Sequence, residues 1–555
     1  MRPKSGIGGS FPGVALLLLG CAGGADVGSV SSAPPPSAPA IQVEKPPPPA
    51  APSRDWTELA TSADARVVYV SSSTGSEAND GLSEAKPKKR LASGKAQLRN
   101  GYPDRLLLKR GDAWDEDFGD GWELSGRSEK ERMVIGAYGS GERPTLRTGN
   151  RNGFSAWHDK KHDHLAIVGL RFTANGYDGK NGSPRGIAFF GKSEDLLLED
   201  CSVEGYETNL VFQGAPEGVG RHRNVAIRRC VVVDAYSKGD ANCAGLFVSS
   251  TDGLLVEECL FDRNGWRDDV PGTQPNWFRR NVYVQSTNTD VVVRGNIVAR
   301  TDGMQVRPGG TVEQNLLLRN AIGILVGGGD PPVTGGVVGV VRWNVILDGN
   351  DLQAGSPRGW GFNFENVGLA TIDSNVVAHN VNGHYPFPIT FGIASNGAGV
   401  HNLTFSNNVV YDWNGYSRFT GNAAQTSNVR LSHNWFQNRI SLDPLIQHDQ
   451  YSSTAGVSST NNLFYSIAAT GAWMRAGANL SLGQWKSIVH DLSSVGQQVN
   501  FPDPTRTIAS YHASIGGVPA LENFLIQARQ QSRQYWRPQY TAAAVNDYIR
   551  AGFGL

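Results

Sequence analysis

The chain has 555 residues with 67 Gly, 29 Pro, 39% hydrophobic and 18% charged residues, and its 51 Lys and Arg balance 51 Asp and Glu to a formal net charge of zero. Zero net charge argues against a nucleic-acid binder, whose basic surface shows in the composition. The Gly content, with many Asn and Val, excludes coiled coils and helical bundles, and the length predicts several ordinary domains or one elongated repeat.

Residues 1–20 read as an export signal, with Arg2 and Lys4 ahead of Val14-Ala15-Leu16-Leu17-Leu18-Leu19. That apolar run is far shorter than the ~20 residues that span a bilayer. It ends in Leu18-Leu19-Gly20-Cys21, which resembles the lipobox of bacterial lipoproteins. The resemblance implies cleavage before Cys21 and acylation of its thiol and amino groups, and several acyl chains anchor far more firmly than one. Ala22 stands where lipoproteins retained at the inner membrane carry Asp, which implies the outer membrane or cell surface. Residues 21–55, rich in Pro34–Pro36 and Pro46–Pro49, cannot form a core and should run as a semi-rigid spacer.

The folded part is expected over 56–470. Val67-Val68-Tyr69-Val70, followed by Thr74-Gly75-Ser76-Glu77-Ala78-Asn79-Asp80-Gly81, resembles the opening segment of many secreted bacterial β-helix proteins. A short helix around Leu91–Leu98 should shield the open edge of the first coil as an N-terminal cap.

From about residue 160 a phrase recurs, as in Leu196-x-Leu198-x-x-Cys201-x-Val203, Val225-x-Ile227-x-x-Cys230-x-Val232 and Leu254-x-Val256-x-x-Cys259-x-Phe261. Val291-x-Val293-x-x-Asn296-x-Val298 follows, and the central position continues as Asn315, Asn344, Asn375, Asn408, Asn434 and Asn462, at spacings of 29, 29, 37, 19, 29, 31, 33, 26 and 28. Period-2 alternation means strands with one buried face. An Asn between two apolar positions marks a bend, because Asn tolerates left-handed backbone angles. Recurrence about every 30 residues means one coil per repeat, stacked as a solenoid with the Asn side chains in a ladder. At ~4.8 Å per coil, ten coils make a rod about 45–50 Å long.

This ladder resembles that of right-handed parallel β-helices, the fold of pectate lyases and polygalacturonases. The resemblance implies an all-β solenoid of about ten or more coils, with the ladder in the turn between the second and third sheets. Cys201, Cys230 and Cys259 then become small packing residues at ladder positions, without a disulfide set or metal-ligand spacing.

A second series precedes each ladder phrase: Ile187-x-Phe189, Leu210-x-Phe212, Leu246-x-Val248, Val282-x-Val284, Met304-x-Val306, Ile324-x-Val326, Phe362-x-Phe364 and Ile389-x-Phe391. These point inward, so the alternating residues point out. Long connections at 262–280, 347–360 and 378–388 flank short ones at 299–302 and 318–322, which predicts a groove floored by Tyr283, Gln285, Gln305, Arg307, Leu325 and Gly327. Its walls would be Trp266, Asp268, Asp269, Trp277, Arg279 and Arg280 on one side, and Arg358, Trp360, His384 and Tyr385 on the other. Aromatics beside charges suit a polysaccharide, with Asn363 as a further contact. The resemblance implies that this sheet forms the substrate cleft.

Two chemistries fit a uronate-containing glycan. For β-elimination, Arg307 would neutralise the carboxylate, helped by Gln285 or Gln305, while Tyr283 and His384 serve as base and acid. Asp268, Asp269 and Glu365 could instead hold a calcium ion. Hydrolysis needs two flanking carboxylates. Thr301-Asp302-Gly303 and Gly383-His384 echo polygalacturonase motifs, but their paired-aspartate motif is missing, as is the Trp-Ile-Asp-His signature of pectate lyases. A non-catalytic glycan-binding or adhesion protein would use the same groove without a base.

After residue 470 the period stops, and 471–555 reads as a helical cap or appendage with helices at Leu482–Leu492, Ala520–Ser532 and Thr541–Ala551. The sequence therefore predicts a monomeric, exported polysaccharide-active lipoprotein that meets the membrane through its lipid anchor alone and binds no nucleic acid.

Overall fold

The computed structural model describes residues 55–119, 121–157, 162–214, 220–239, 242–276, 278–352, 358–382, 386–392, 399–422, 424–449 and 456–555. The signal, Cys21 and most of the spacer lie outside the described residues, as do Trp277, His384 and Tyr385.

Strands of 2–7 residues wind into three walls. The first sheet has 16 strands running from Val67–Val70 to Val457–Thr460, the second 14 from Ala113–Trp114 to Val495–Gly496, and the third 13 from Phe154–Ala156 to Ala478–Leu480. Among the described residues all strand pairings are parallel except that of Met474–Ala476 with Ala478–Leu480, which closes the third sheet. Parallel strands joined by crossovers wind right-handed, because strand twist packs the chain back that way. The protein is a right-handed parallel β-helix.

The recurrent phrase is the register of the first sheet. Leu196, Val225, Leu254 and Val291 are directly paired partners on successive coils, each at most 3% exposed in one continuous apolar core. The second series aligns likewise on the third sheet, with Leu210, Leu246, Val282 and Met304 in line.

The ladder fills the corner between the first and second sheets, which are the second and third when each coil is counted from the sheet expected to carry the groove. Asn296, Asn315, Asn344, Asn375, Asn408, Asn434 and Asn462 are fully buried. Each Nδ2 donates to the next Oδ1 at 2.9–3.1 Å along the stack. Each Oδ1 also accepts from the backbone N–H of the preceding ladder residue, as for Asn315 and Asn344 at 3.0 Å. The bend itself departs from expectation. Its left-handed residue is the one before the ladder position: Asp200, Arg229, Glu258, Gly295, Gln314, Trp343, Ser374, Asn407, His433 and Asn461 have φ between 50° and 64°. The Asn is selected for its amide, which satisfies buried backbone groups on two coils at once. Cysteine does part of this work at three coils, since the Cys259 sulfur accepts from the Cys230 N–H at 3.4 Å and the Cys259 N–H donates to Asn296 at 2.9 Å. Cys201, Cys230, Cys243 and Cys259 are free and buried.

Helix α1 (Leu91–Lys95) covers the first coils. A Cβ on Gly94 would meet Val70 at 2.5 Å and Leu106 at 2.8 Å, so only glycine lets the helix lie this close. At the other end, α2 (Leu482–Ile488) is capped by Ser481, and α3 (Ile508–Ser514), α4 (Leu521–Ala528) and α5 (Ala542–Gly552) follow. The last three form a strap along the outside of the second sheet. Ile508, Leu521, Phe524, Val545 and Ile549 bury its outward Val231, Leu260, Leu316 and Val376. The strap runs back toward the first coils: Gln437 binds the Val499 carbonyl at 3.2 Å, Arg529 bonds Asp234 and Asp262 at 2.6 and 2.7 Å, and Arg533 N–H reaches Asp200 at 2.8 Å. There Trp536 meets Trp56 edge-on at 5.4 Å. The periodicity of Ile508–Ser514 is too short to be read from sequence, and α3 goes unpredicted.

Candidate functional site

The outward face of the third sheet carries one line of directly paired residues: Val211, Phe247, Tyr283, Gln305, Leu325, Asn363 and Thr390. This line is open at one end and closed at the other. Gln305, Leu325 and Asn363 are only 2–3% exposed, so the predicted floor is not an open groove there.

The closure has identifiable causes. Arg358 hydrogen-bonds Asp302 at the start of the Asp302–Val306 strand, and both are about 5% exposed. The connection after Gly327 folds back on the floor: Ser286 Oγ donates to the Pro331 carbonyl at 2.6 Å and Gln285 reaches the Asp330 carbonyl at 3.5 Å. Beneath it Arg307 bonds Glu365 at 3.2 Å, Gln305 at 2.9 Å and the Gly327 carbonyl at 3.2 Å. A Cβ on Gly328, which has φ +67°, would lie 2.4 Å from the Arg307 guanidinium and 2.5 Å from Glu365. Arg307 is thus a held structural cation rather than an open carboxylate receptor.

The predicted calcium ligands are also engaged separately. Glu365 accepts from Asn363 at 2.9 Å besides Arg307, Asp268 pairs with Arg263 at 3.2 Å, and Asp269 bonds Arg267 at 3.0 Å. No group of three metal-ligating side chains forms among the described residues. Arg279, expected at the wall, is 1% exposed and ties down the Gln274 and Gly239 carbonyls, the latter at 2.6 Å. Trp266 is half-buried in its loop, and Trp360 packs on Phe387 at 6.3 Å.

The open end is a cleft of about 590 Å³ over the strands Arg185–Phe190, Thr208–Gln213, Cys243–Ser249 and Arg279–Val284. Of the predicted residues it holds Tyr283 and Arg280. Tyr283 stacks on Phe247 with ring centres 5.8 Å apart, and the Arg280 guanidinium lies 4.4 Å from the Tyr283 ring centre. A second stack, Trp157 on Phe190 at 4.8 Å, carries Arg185 at 5.3 Å from the Phe190 ring.

Arg185 and Arg280 form no ion pair among the described residues, unlike Arg143, Arg229, Arg300 and Arg358. Burial is the largest influence on Arg280 and lowers its pKa, with Asp302 opposing, but Asp302 is itself bonded to Arg358. Glu207 also lines the cleft, and its Oε2 is buried without a hydrogen-bond partner. It is the one carboxylate among the described lining residues. Cys243 lies at the base, where burial pushes its thiol well up and keeps it protonated.

Arg185 and Glu207 escape the sequence reading because both precede their strands' alternating positions. The usable signal was the register line Arg185, Thr208, Ala244 and Arg280, in which Arg sits two residues before Ile187 and again two before Val282.

The architecture is a right-handed parallel β-helix, with the buried Asn ladder that the sequence predicts. No family profile matches the chain, and no curated protein matches it. Solved structures similar to it include a complex of XylC with xylose (9% identity, covering 80% of this chain and 88% of that one, TM-score 0.45). Another is a mannuronic-acid-specific polysaccharide family 6 lyase from human gut microbiota (13%, 78% and 92%, 0.40). A third is the GH136 lacto-N-biosidase of Eubacterium ramulus (15%, 78% and 67%, 0.36). At these identities and scores the likenesses carry nothing about the cleft, whose reading rests on its own residues.

Proposed function

We propose that the protein binds an acidic polysaccharide in the cleft of the third sheet and cleaves it by β-elimination. The carrying observation is a pair of arginines, Arg185 and Arg280, that have no ion-pair partner among the described residues and are set beside two stacked aromatic pairs. Sugar faces stack on such rings, and a guanidinium takes a carboxylate through two parallel hydrogen bonds. The neutralising role expected of Arg307 passes to Arg280 and Arg185, because Arg307 is bonded to Glu365.

In the reaction, neutralising the uronate carboxylate acidifies the C5 proton. Tyr283 as phenolate removes that proton, the C5–H electron pair forms the C4–C5 double bond as the C4–O4 bond breaks, and the phenol so formed returns the proton to O4. Hydrolysis is less well supported, since it needs two carboxylates about 5–9.5 Å apart and the described lining offers Glu207 alone. On this reading the protein works outside the cytoplasm, at the outer membrane or cell surface, anchored through acylated Cys21 and monomeric; the support is the Leu18-Leu19-Gly20-Cys21 segment and the Pro-rich spacer.

The test is incubation of the purified protein with alginate, pectate, glycosaminoglycans and neutral glucans, following unsaturated-product absorbance and new reducing ends. Elimination gives both. Reducing ends without absorbance mean hydrolysis, and binding without either product means an adhesion protein.

A further inference from the structure

We infer that a second, shorter asparagine ladder positions Arg280 in the cleft, with Asn281 as the positioning residue. This rests on the acidic-polysaccharide reading of the same cleft and adds how its arginine comes to face the substrate.

The corner between the second and third sheets carries Asn209, Asn264 and Asn281, all fully buried. Asn209 Nδ2 donates to Asn264 Oδ1 at 2.9 Å, and Asn264 Nδ2 donates to Asn281 Oδ1 at 2.9 Å. Asn281 Oδ1 also accepts from the Asn264 backbone N–H at 3.3 Å, and its Nδ2 donates to the Ala299 carbonyl at 2.9 Å. The amide is thus held between two successive rungs of the second sheet, Leu260–Asp262 and Ile297–Ala299. One coil earlier Gly245 makes room, between Ala244 and Leu246, which pair with Arg280 and Val282. A Cβ there would meet Asn264 Nδ2 and the Asn281 carbonyl, each at 2.6 Å.

This ladder decides where Arg280 points. Arg280 and Tyr283 are three residues apart, so a regular strand would put them on opposite faces. Instead Asn281 and Val282 are both fully buried, while Arg280 and Tyr283 both reach the outer side, the guanidinium 4.4 Å from the ring centre. The strand turns over at Asn281. No ion pair among the described residues holds the Arg280 side chain, whereas Arg307 is tied to Glu365, Gln305 and the Gly327 carbonyl. The direction of Arg280 is therefore set through the backbone, at the residue whose amide the ladder fixes.

The experiment measures kcat and KM on alginate and pectate, with urea midpoints, for the parent, Asn281→Ala, Arg280→Ala, their double variant and Asn344→Ala. A smaller folded fraction lowers apparent kcat and leaves KM unchanged, whereas a displaced arginine raises KM. Expected for Asn281→Ala are a several-fold higher KM and about tenfold lower kcat/KM. In the Arg280→Ala background the same substitution should change kcat/KM less than about twofold, because the two residues act as one unit. Asn344→Ala, which loses equivalent bonds in the main ladder, should lower the urea midpoint and keep the parent's KM. The parent's KM in Asn281→Ala, or a loss as large without Arg280 as with it, overturns the inference, as does an equal rise in KM for Asn344→Ala. If Asn281→Ala does not fold, Asn281→Gly takes its place with the same rise in KM expected, since glycine stands at this position on neighbouring coils as Gly186, Gly245 and Gly303. If the parent binds without cleaving, Kd replaces KM in each comparison. A parent that binds no acidic polymer fails the cleft reading itself, and this inference with it.

Discussion

The Arg280 guanidinium lies 4.4 Å from the centre of the Tyr283 ring, three residues on along the same strand. It covers the phenol face while keeping its N–H groups free of carboxylates. Arg280→Ala is expected to lower kcat/KM on the cleaved polymer by about 100-fold or more. Arg280→Lys should recover little, since an ammonium cannot reproduce the two-pronged contact. Neither change should shift the thermal midpoint much, because no ion pair is broken. Initial rates with a melting curve for each variant check this.

Arg307 and Glu365 should behave in the opposite way. Their side chains are 15% and 21% exposed, so removing Arg307 leaves the Glu365 carboxylate largely desolvated and without its cation, with Asn363 still donating to it. Arg307→Ala should destabilise the fold by about 2–3 kcal/mol, and an Arg307→Met/Glu365→Met double variant should recover most of that. Urea unfolding of the single and double variants decides it; a stable Arg307→Ala without activity would return Arg307 to the substrate site.

The ladder predicts a graded response at one position. Asn344 accepts from Asn315 and donates to Asn375, and it also donates to the Val312 carbonyl at 2.9 Å. Asn344→Leu should cost about 3 kcal/mol, as several buried groups lose partners. Asn344→Cys should cost less, because cysteine already fills this position on three coils. Denaturant midpoints of the two variants give the comparison.

Acid should weaken the fold through two imidazoles. Burial pulls His222 down to about 4, with nearby His162 adding to the effect, and pulls His448 down to about 4. Both are neutral when folded, whereas the unfolded chain takes up their protons near pH 6.5. Stability is therefore full above about pH 6.5 and falls as pH drops toward about 4, on the order of 3 kcal/mol for each histidine. His448 stacks on Phe419 at 4.4 Å, so His448→Phe keeps the shape and should remove about half of the loss. Urea midpoints at pH 7 and about pH 4.5 measure it.

Membrane attachment gives a separate test. Radiolabelled fatty acid should enter the wild-type protein and not Cys21→Ala, which should leave the membrane fraction. Label retained by the variant would remove the lipid anchor.

The coils were legible because they repeat: Leu196, Val225 and Leu254 share a face, and a two-residue period with a fixed polar interruption has few other solutions. The cleft was legible only where it continued that period. Tyr283 stands in the alternating series, and Arg280 in the long connection just ahead of it. Arg185 and Glu207 belong to the approach to a strand, where side-chain direction depends on the corner. The displacement of the opening toward earlier coils came from contacts between distant residues, Arg358 with Asp302 and Ser286 with Pro331, that no local pattern encodes.

The meeting of Trp56 and Trp536 has a consequence for how a polymer could reach the protein. Trp56 also receives Arg229 at 4.7 Å, and Arg229 bonds the Asp55 carbonyl at 3.0 Å. The chain thus joins the solenoid at the ladder corner between two walls, which in a three-walled prism lies opposite the third. Asp55 and Trp56 therefore sit on the side of the solenoid away from the third sheet, and neither covers its cleft.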